Sequence, residues 1–204
     1  MQLLRRDFFD SLSLSGVSFA LAGITTLLGV MIAEGLYPGA YSTHANTLSD
    51  LGRLHVDSNF LPAAYVYNST LVLTGIWTML GAIQLFRLKY DILWNRSLLF
   101  AYGVGVVCLG FVPSDVSVIH PFLAITTFLI GSLSLLSHVF TERGAFRILS
   151  LLLGCISIFS LIGFFTLSPI LGAGGIERLV TYPVTLWVVL YGGFLLGKNQ
   201  IAKK

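Results

Sequence analysis

The stretch Tyr37-Pro-Gly-Ala-Tyr-Ser-Thr-His-Ala-Asn-Thr-Leu-Ser-Asp-Leu-Gly-Arg53 decides how this chain is read. It is polar, it carries Pro, Gly, His and Asp, and it lies between long apolar runs. An α-helix rising 1.5 Å per residue needs about 20 apolar residues to cross a hydrocarbon layer of about 30 Å. The flanking runs have that length. The segment therefore reads as a water-facing loop mounted on a membrane-embedded body.

Composition agrees. Of 204 residues, 55% are hydrophobic and 10% charged, and the mean hydropathy is +0.87. A soluble domain carries about 25% charged residues, so this chain has too few to cover a surface facing water. The lipid bilayer is the expected partner. The net charge of +3 is small, and no basic run points to nucleic acid. Cys108 and Cys155 both lie inside apolar runs and read as packed thiols. Residues 1–10 begin like a signal peptide, but the apolar run after them is about 24 residues, against roughly 7–15 for a cleavable core. A retained first span is expected.

Six runs qualify as spans: 12–36, 61–86, 97–112, 118–140, 148–170 and 176–196. Alternating polarity, which a barrel would need, is absent, so the fold class is all-α, a polytopic transmembrane helix bundle in one domain. Arg5, Arg6, Arg87, Lys89, Arg96, Arg143, Arg147, Lys198, Lys203 and Lys204 fall on one side of this arrangement; Arg53 and Arg178 fall on the other. The positive-inside bias puts both termini in the cytoplasm and implies a plasma membrane location. Tyr90 and Trp94 read as interfacial anchors at the basic side. The one long outer connection is 37–59; the other two, 113–117 and 171–175, are short.

All six prolines, Pro38, Pro62, Pro113, Pro121, Pro169 and Pro183, fall in or near the outer ends of spans, which predicts irregular backbone there and plain helix further in. Gly193 and Gly197 form a GxxxG pattern, read either as close packing within the chain or as a homo-oligomer contact.

The ionisable residues gather at the outer rim: Glu34, His44, Asp50, Arg53, His55, Asp57, Asp115, His120, Glu177 and Arg178, with Ser49, Asn46, Tyr41 and Tyr182 beside them. Ionisable groups at membrane depth are costly and mark function or a paired network. Each has two readings. Ser114 or Asp115 stands where it would cap span four; Asp115 or Asp50 would alternatively orient His120. His120 precedes Pro121, which disfavours helix at His120. Ser49 and Asp50 suit the cap of a short surface helix. Glu177 suits a first helical turn. Arg178 needs a carboxylate, with Glu34, Asp50 and Asp115 as candidates. His55 and Asp57 read as solvated, and His138 as close enough to the inner boundary to reach water.

Tyr41-Ser-x-x-x-Asn-Thr-Leu-Ser-Asp-Leu-Gly52, Pro113-Ser-Asp-x-x-x-x-His120 and Gly175-Ile-Glu-Arg178, in this order and at these span ends, resemble a six-span membrane family of bacteria and archaea that is a domain of unknown function. The resemblance implies fold and location and brings no activity with it. It directs attention to Asn46, Ser49, Asp50, Asp115, His120, Glu177 and Arg178.

Two functions follow. In one, the outer cluster is a polar pocket for a lipid headgroup or a membrane partner, with Arg178, Glu177, His44, Asn46 and Tyr182 as binding residues. In the other, the chain is a membrane-embedded hydrolase or transferase acting on a lipid-linked substrate. There His120 serves as base, Asp115 or Asp50 orients it, Ser49 takes part, and Arg178 holds a phosphate or carboxylate. A metal held by His44, Asp50, Asp115 and His120 is a variant of the second. Neither a cofactor nor a metal is specified by any motif spacing.

Overall fold

Inside hydrocarbon every backbone N–H and C=O must be paired within the protein, and helices achieve this segment by segment. The computed structural model describes residues 2–56, 59–60, 62–115 and 118–203, with side chains at 11–54, 62–115 and 118–198. Asp57, and the side chains of His55, Arg5, Arg6, Lys203 and Lys204, lie outside the described residues. Six helices are long and apolar enough to cross a membrane. They are α1 (Gln2–Leu36), α3 (Pro62–Leu88), α4 (Leu93–Phe111), α5 (His120–His138), α6 (Gly144–Ile162) and α7 (Phe164–Lys203). The loop after α1 holds the one-turn helix α2 (Leu48–Leu51) and the two-residue strands β1 (His55–Val56) and β2 (Asn59–Phe60), paired antiparallel with Val56 opposite Asn59.

Each long helix packs against its neighbours in sequence, and α7 returns to α1, closing a ring of six. Close crossings use glycine. A Cβ on Gly75 of α3 or on Gly103 of α4 would meet the other's carbonyl oxygen, so the two backbones touch. On α7, Gly192 packs on Gly16 and Ala20 of α1. Gly193 and Gly197 have open space at their Cβ positions. The close packing expected of the GxxxG pair is made by its neighbour Gly192 instead, because that is the residue facing α1. Large apolar side chains such as Met31, Phe111, Phe122 and Phe159 point outward, as lipid-facing positions do.

Two apolar cores lie along the bundle. The larger, toward the basic end, is built on Phe19, Leu85, Leu99, Leu135, Trp187 and Tyr191. The smaller, beneath the loop, joins Val30, Ala33, Leu48, Leu51 and Tyr67, with Tyr182 packed against it.

Three expectations are corrected. The fifth span ends at Ile162 instead of residue 170. Its 19 residues already give about 28 Å, enough to cross, and the Gly163 N–H turns back to the Phe159 carbonyl at 2.8 Å. The sixth helix starts at Phe164 and bends at Gly172, whose φ of 76° and ψ of 155° are left-handed values that favour glycine. Pro169 and Pro183 both lie within α7, so the sharp break at this end comes from Gly172 and not from proline. His138 does not reach water: it is 0% exposed, its Nδ1 donates to the Ser134 carbonyl at 2.7 Å, and its Nε2 lies 3.2 Å from Asp91 Oδ2.

The Asp91 carboxylate also accepts Asn95 Nδ2 at 2.8 Å. Burial works against its ionisation, but the bonds from His138 and Asn95 outweigh that and hold its carboxyl below the ordinary value. Nearby, Lys198 bridges Glu142 and the Tyr90 hydroxyl at 3.0 and 2.9 Å. Trp94, the other expected anchor, is exposed.

Candidate functional site

The loop is shaped first by its own sequence. Thr47 Oγ1 accepts the Asp50 N–H at 3.1 Å, and Asp50 Oδ2 accepts the Thr47 N–H at 2.8 Å. This reciprocal capping box starts α2 and commits Asp50 to its own turn. Upstream, Asn46 Oδ1 accepts the Ser42 N–H at 3.0 Å and closes the preceding turn. Downstream, Asn68 Nδ2 of α3 donates to the Gly52 carbonyl at 2.9 Å.

Two adjacent residues of α7 then dock this loop. Arg178 is 9% exposed, and both of its terminal nitrogens are engaged. Its Nη2 reaches Glu34 Oε1 at 2.7 Å and the Tyr41 hydroxyl at 2.6 Å. Its Nη1 donates to the carbonyls of Thr43, Asn46 and Gly174 at 2.9–3.2 Å. Tyr41 passes the contact on, donating to the Thr47 carbonyl at 3.0 Å. Burial pushes the Tyr41 hydroxyl up to about 12, the neighbouring guanidinium offsetting only part of it. Of the three carboxylates open to Arg178, Glu34 is its partner. The expected role for Arg178 in holding a ligand anion is not what its surroundings suit, because protein oxygens occupy both terminal nitrogens.

Glu177 makes the second dock. It is 5% exposed. Its Oε2 accepts the Leu48 N–H at 2.6 Å and, more weakly, the Ser49 N–H at 3.4 Å; its Oε1 accepts the Ser49 hydroxyl at 2.7 Å. It stands shortly after the break at Gly172, near the start of the helix that continues from there, and its carboxylate is taken up by the loop.

His120 opens α5 and is buried, at 7% exposed. Its Nδ1 is 2.6 Å from the Val112 carbonyl and its Nε2 is 3.3 Å from Ser49 Oγ. The expected orienting carboxylate is replaced by a backbone oxygen. Asp50 is held in the capping box, and Asp115 Oδ1 accepts the Leu54 N–H at 3.1 Å. Capping of α5 falls to neither Ser114 nor Asp115: the cap position is Ile119, and Ser114 Oγ donates to the Ser49 carbonyl at 3.0 Å. Val112 was not singled out in sequence. The available signal was its place as the last residue of a span just before Pro113, where helix carbonyls lose their partners.

These contacts frame a cavity of about 420 Å³. At one end stand Thr47, Ser49, Asp50, Ser114, His120 and Glu177; the rest of the wall is apolar, including Ala124, Ile125, Phe128, Leu161, Phe164 and Phe165. Asp50 and His120 share this cavity. Arg178 does not line it, so the single pocket expected for all three divides into a cavity and a neighbouring clamp. His44 is exposed, and its carbonyl accepts the Gly174 N–H at 3.0 Å. Among the described residues no group of three or more His, Cys, Asp or Glu side chains is placed to hold a metal, and the set His44, Asp50, Asp115 and His120 does not converge.

The family described as "Protein of unknown function (DUF998)" matches residues 20–193. The chain belongs to the DUF998 family. That match runs from the middle of α1 through most of α7 and includes the loop, both docking residues and His120. No curated protein and no solved structure matches this DUF998 chain.

Proposed function

We propose that this DUF998 protein holds a single amphiphile of the lipid class at the face opposite its basic connections, with both termini in the cytoplasm of a cell whose plasma membrane it occupies. The cavity between α2, α5, α6 and α7 carries this reading. Its volume falls within the roughly 300–1,000 Å³ typical of small-molecule sites, and its lining is polar at one end and apolar along the remainder. An acyl chain suits the wall of Ala124, Ile125, Phe128 and Phe165, and a headgroup suits the end formed by Ser49 and His120.

Charge narrows the headgroup. The described lining has two carboxylates, Asp50 and Glu177, and neither Lys nor Arg. A phosphate brought there would lack a counter-charge in a low-dielectric setting. A neutral or cationic headgroup is the better match.

Native mass spectrometry of the protein taken from membranes tests this. One lipid species should persist through mild delipidation in the parent and be lost in Ala124→Phe, which fills the cavity, and in Ile125→Trp, at its exposed side. Equal retention in all three, or a random sample of bulk lipid, would overturn the reading.

A further inference from the structure

We propose that Ser49 is a nucleophile and His120 its base, and that the site hydrolyses a carboxylic ester within a lipid held in the large cavity. This rests on the amphiphile-binding reading above and adds a reaction to it.

The argument begins with a proton. A carbonyl oxygen can only accept, so the 2.6 Å contact to Val112 fixes hydrogen on His120 Nδ1. In neutral imidazole the lone pair is then on Nε2, which faces Ser49 Oγ at 3.3 Å. The serine hydroxyl thus has two acceptors, His120 Nε2 and, at 2.7 Å, Glu177 Oε1. Glu177 also grips the Leu48 N–H, so it fixes the turn that presents Ser49 and acts as a positioning residue. Nucleophile, base and a group that orients the base are the components of serine acyl-transfer sites, here with a backbone oxygen in the orienting place. Ser49 and His120 both face the large cavity, where a reacting carbonyl would sit.

A second cavity supplies the other reactant. It measures about 30 Å³ and also touches both Ser49 and His120. Thr26, Thr74, Thr181 and Thr185 line it with hydroxyls. Thr127 Oγ1 in the same lining is buried, with the residue 1% exposed, and has no hydrogen-bond partner in the protein. A cavity of that size, with the unpartnered Thr127 hydroxyl in its wall, suits one water, placed beside the base that would activate it.

The steps balance. Ser49 Oγ adds to the ester carbonyl carbon as its proton passes to His120 Nε2, and the carbonyl π pair moves onto oxygen. Collapse breaks the bond to the alkoxy oxygen, which leaves with the proton from His120. Water then adds to the acyl-Ser49 carbon, giving a proton to His120, and Ser49 departs with that proton. The sum is ester plus water giving carboxylic acid plus alcohol. The absence of cationic groups in the described lining favours this neutral carbonyl over a phosphoryl centre.

The test uses the full chain in nanodiscs and an alkyl fluorophosphonate probe, with native mass spectrometry of retained lipid on the same samples. The expected result is an adduct located on Ser49, absent in Ser49→Ala, and slowed about 100-fold or more in His120→Asn. Retention of lipid by the Ser49→Ala variant shows that it folds. No adduct on a parent that retains its lipid overturns the hydrolase and leaves the binding reading standing. No adduct and no retained lipid overturns both. An adduct on another residue, or one indifferent to His120→Asn, also overturns the proposal.

Discussion

The carboxylate of Glu177 accepts the Leu48 N–H at 2.6 Å across 129 positions of sequence. The next residue, Arg178, grips the same loop through Tyr41 and the carbonyls of Thr43 and Asn46. Two consecutive side chains of the last span therefore set where the loop turn lies, and with it the distance from Ser49 to His120.

Removal of Glu177 should free the turn before it disturbs the bundle. Hydrogen bonds to a charged group contribute about 1.5–3 kcal/mol each. In Glu177→Ala the loop between α1 and α3 should be cut faster by protease while the spans remain protected. Glu177→Gln keeps an acceptor for Leu48 and should fall between that variant and the parent. Identical cleavage rates in all three would count against the dock.

Arg178→Lys should behave nearly as badly as Arg178→Ala. A lysine cannot reproduce a fork serving Glu34, Tyr41 and three carbonyls. Breaking a buried pair costs about 3–5 kcal/mol, and the partial exposure of Glu34, 25% at its side chain, puts this case at the lower end. Denaturant titration in mild detergent measures it. A lysine variant as stable as the parent would show that the clamp needs only charge.

Gly172→Ala should also loosen the loop. The residue has φ +76°, and a Cβ there would press on the His44 carbonyl. The left-handed backbone alone costs roughly 1–2 kcal/mol, and the steric conflict adds to it. A lowered melting temperature with faster loop proteolysis is expected; an unchanged variant would mean that α7 bends elsewhere.

The basic end should carry an acid-sensitive element. The Asp91 carboxyl lies below its ordinary 3.8 in the folded protein. The unfolded chain therefore takes up a proton first as pH falls. The resulting stability is fully present above about 3.8 and is lost as pH drops through the lower folded value. Thermal unfolding from pH 7 to pH 3 should show this limb in the parent and not in Asp91→Asn, which should be less stable at pH 7. Asparagine tolerates the positive φ of 66° at this position, so the change removes the charge and one acceptor oxygen without adding backbone strain.

Much of this was legible in sequence. Long apolar runs marked six helices, and nearly all the ionisable residues stood at span ends. The hydropathy of residues 164–170 carried them into the fifth span, because composition does not separate a crossing helix from an apolar segment beyond the crossing; Gly163 and Gly172 were the clues to the true boundaries. His138 looked able to reach water, since it stands near a helix end, and only tertiary packing of Trp187 and Tyr191 around its ring encloses it. Arg178 plainly needed a carboxylate, but which of three was a question of helix neighbours. Val112 has no side-chain chemistry to flag, so its carbonyl at His120 emerged only from the fold.

The most direct test is a crystal structure of the protein grown from a lipidic phase doped with its native membrane lipids. The account predicts elongated density in the cavity beside Phe128 and Phe165, with its polar end within hydrogen-bond distance of Ser49 Oγ and His120 Nε2, and with Glu177 still bound to Leu48. A loop detached from Glu177, or a cavity closed by the inward movement of Phe164 and Phe165, would contradict it.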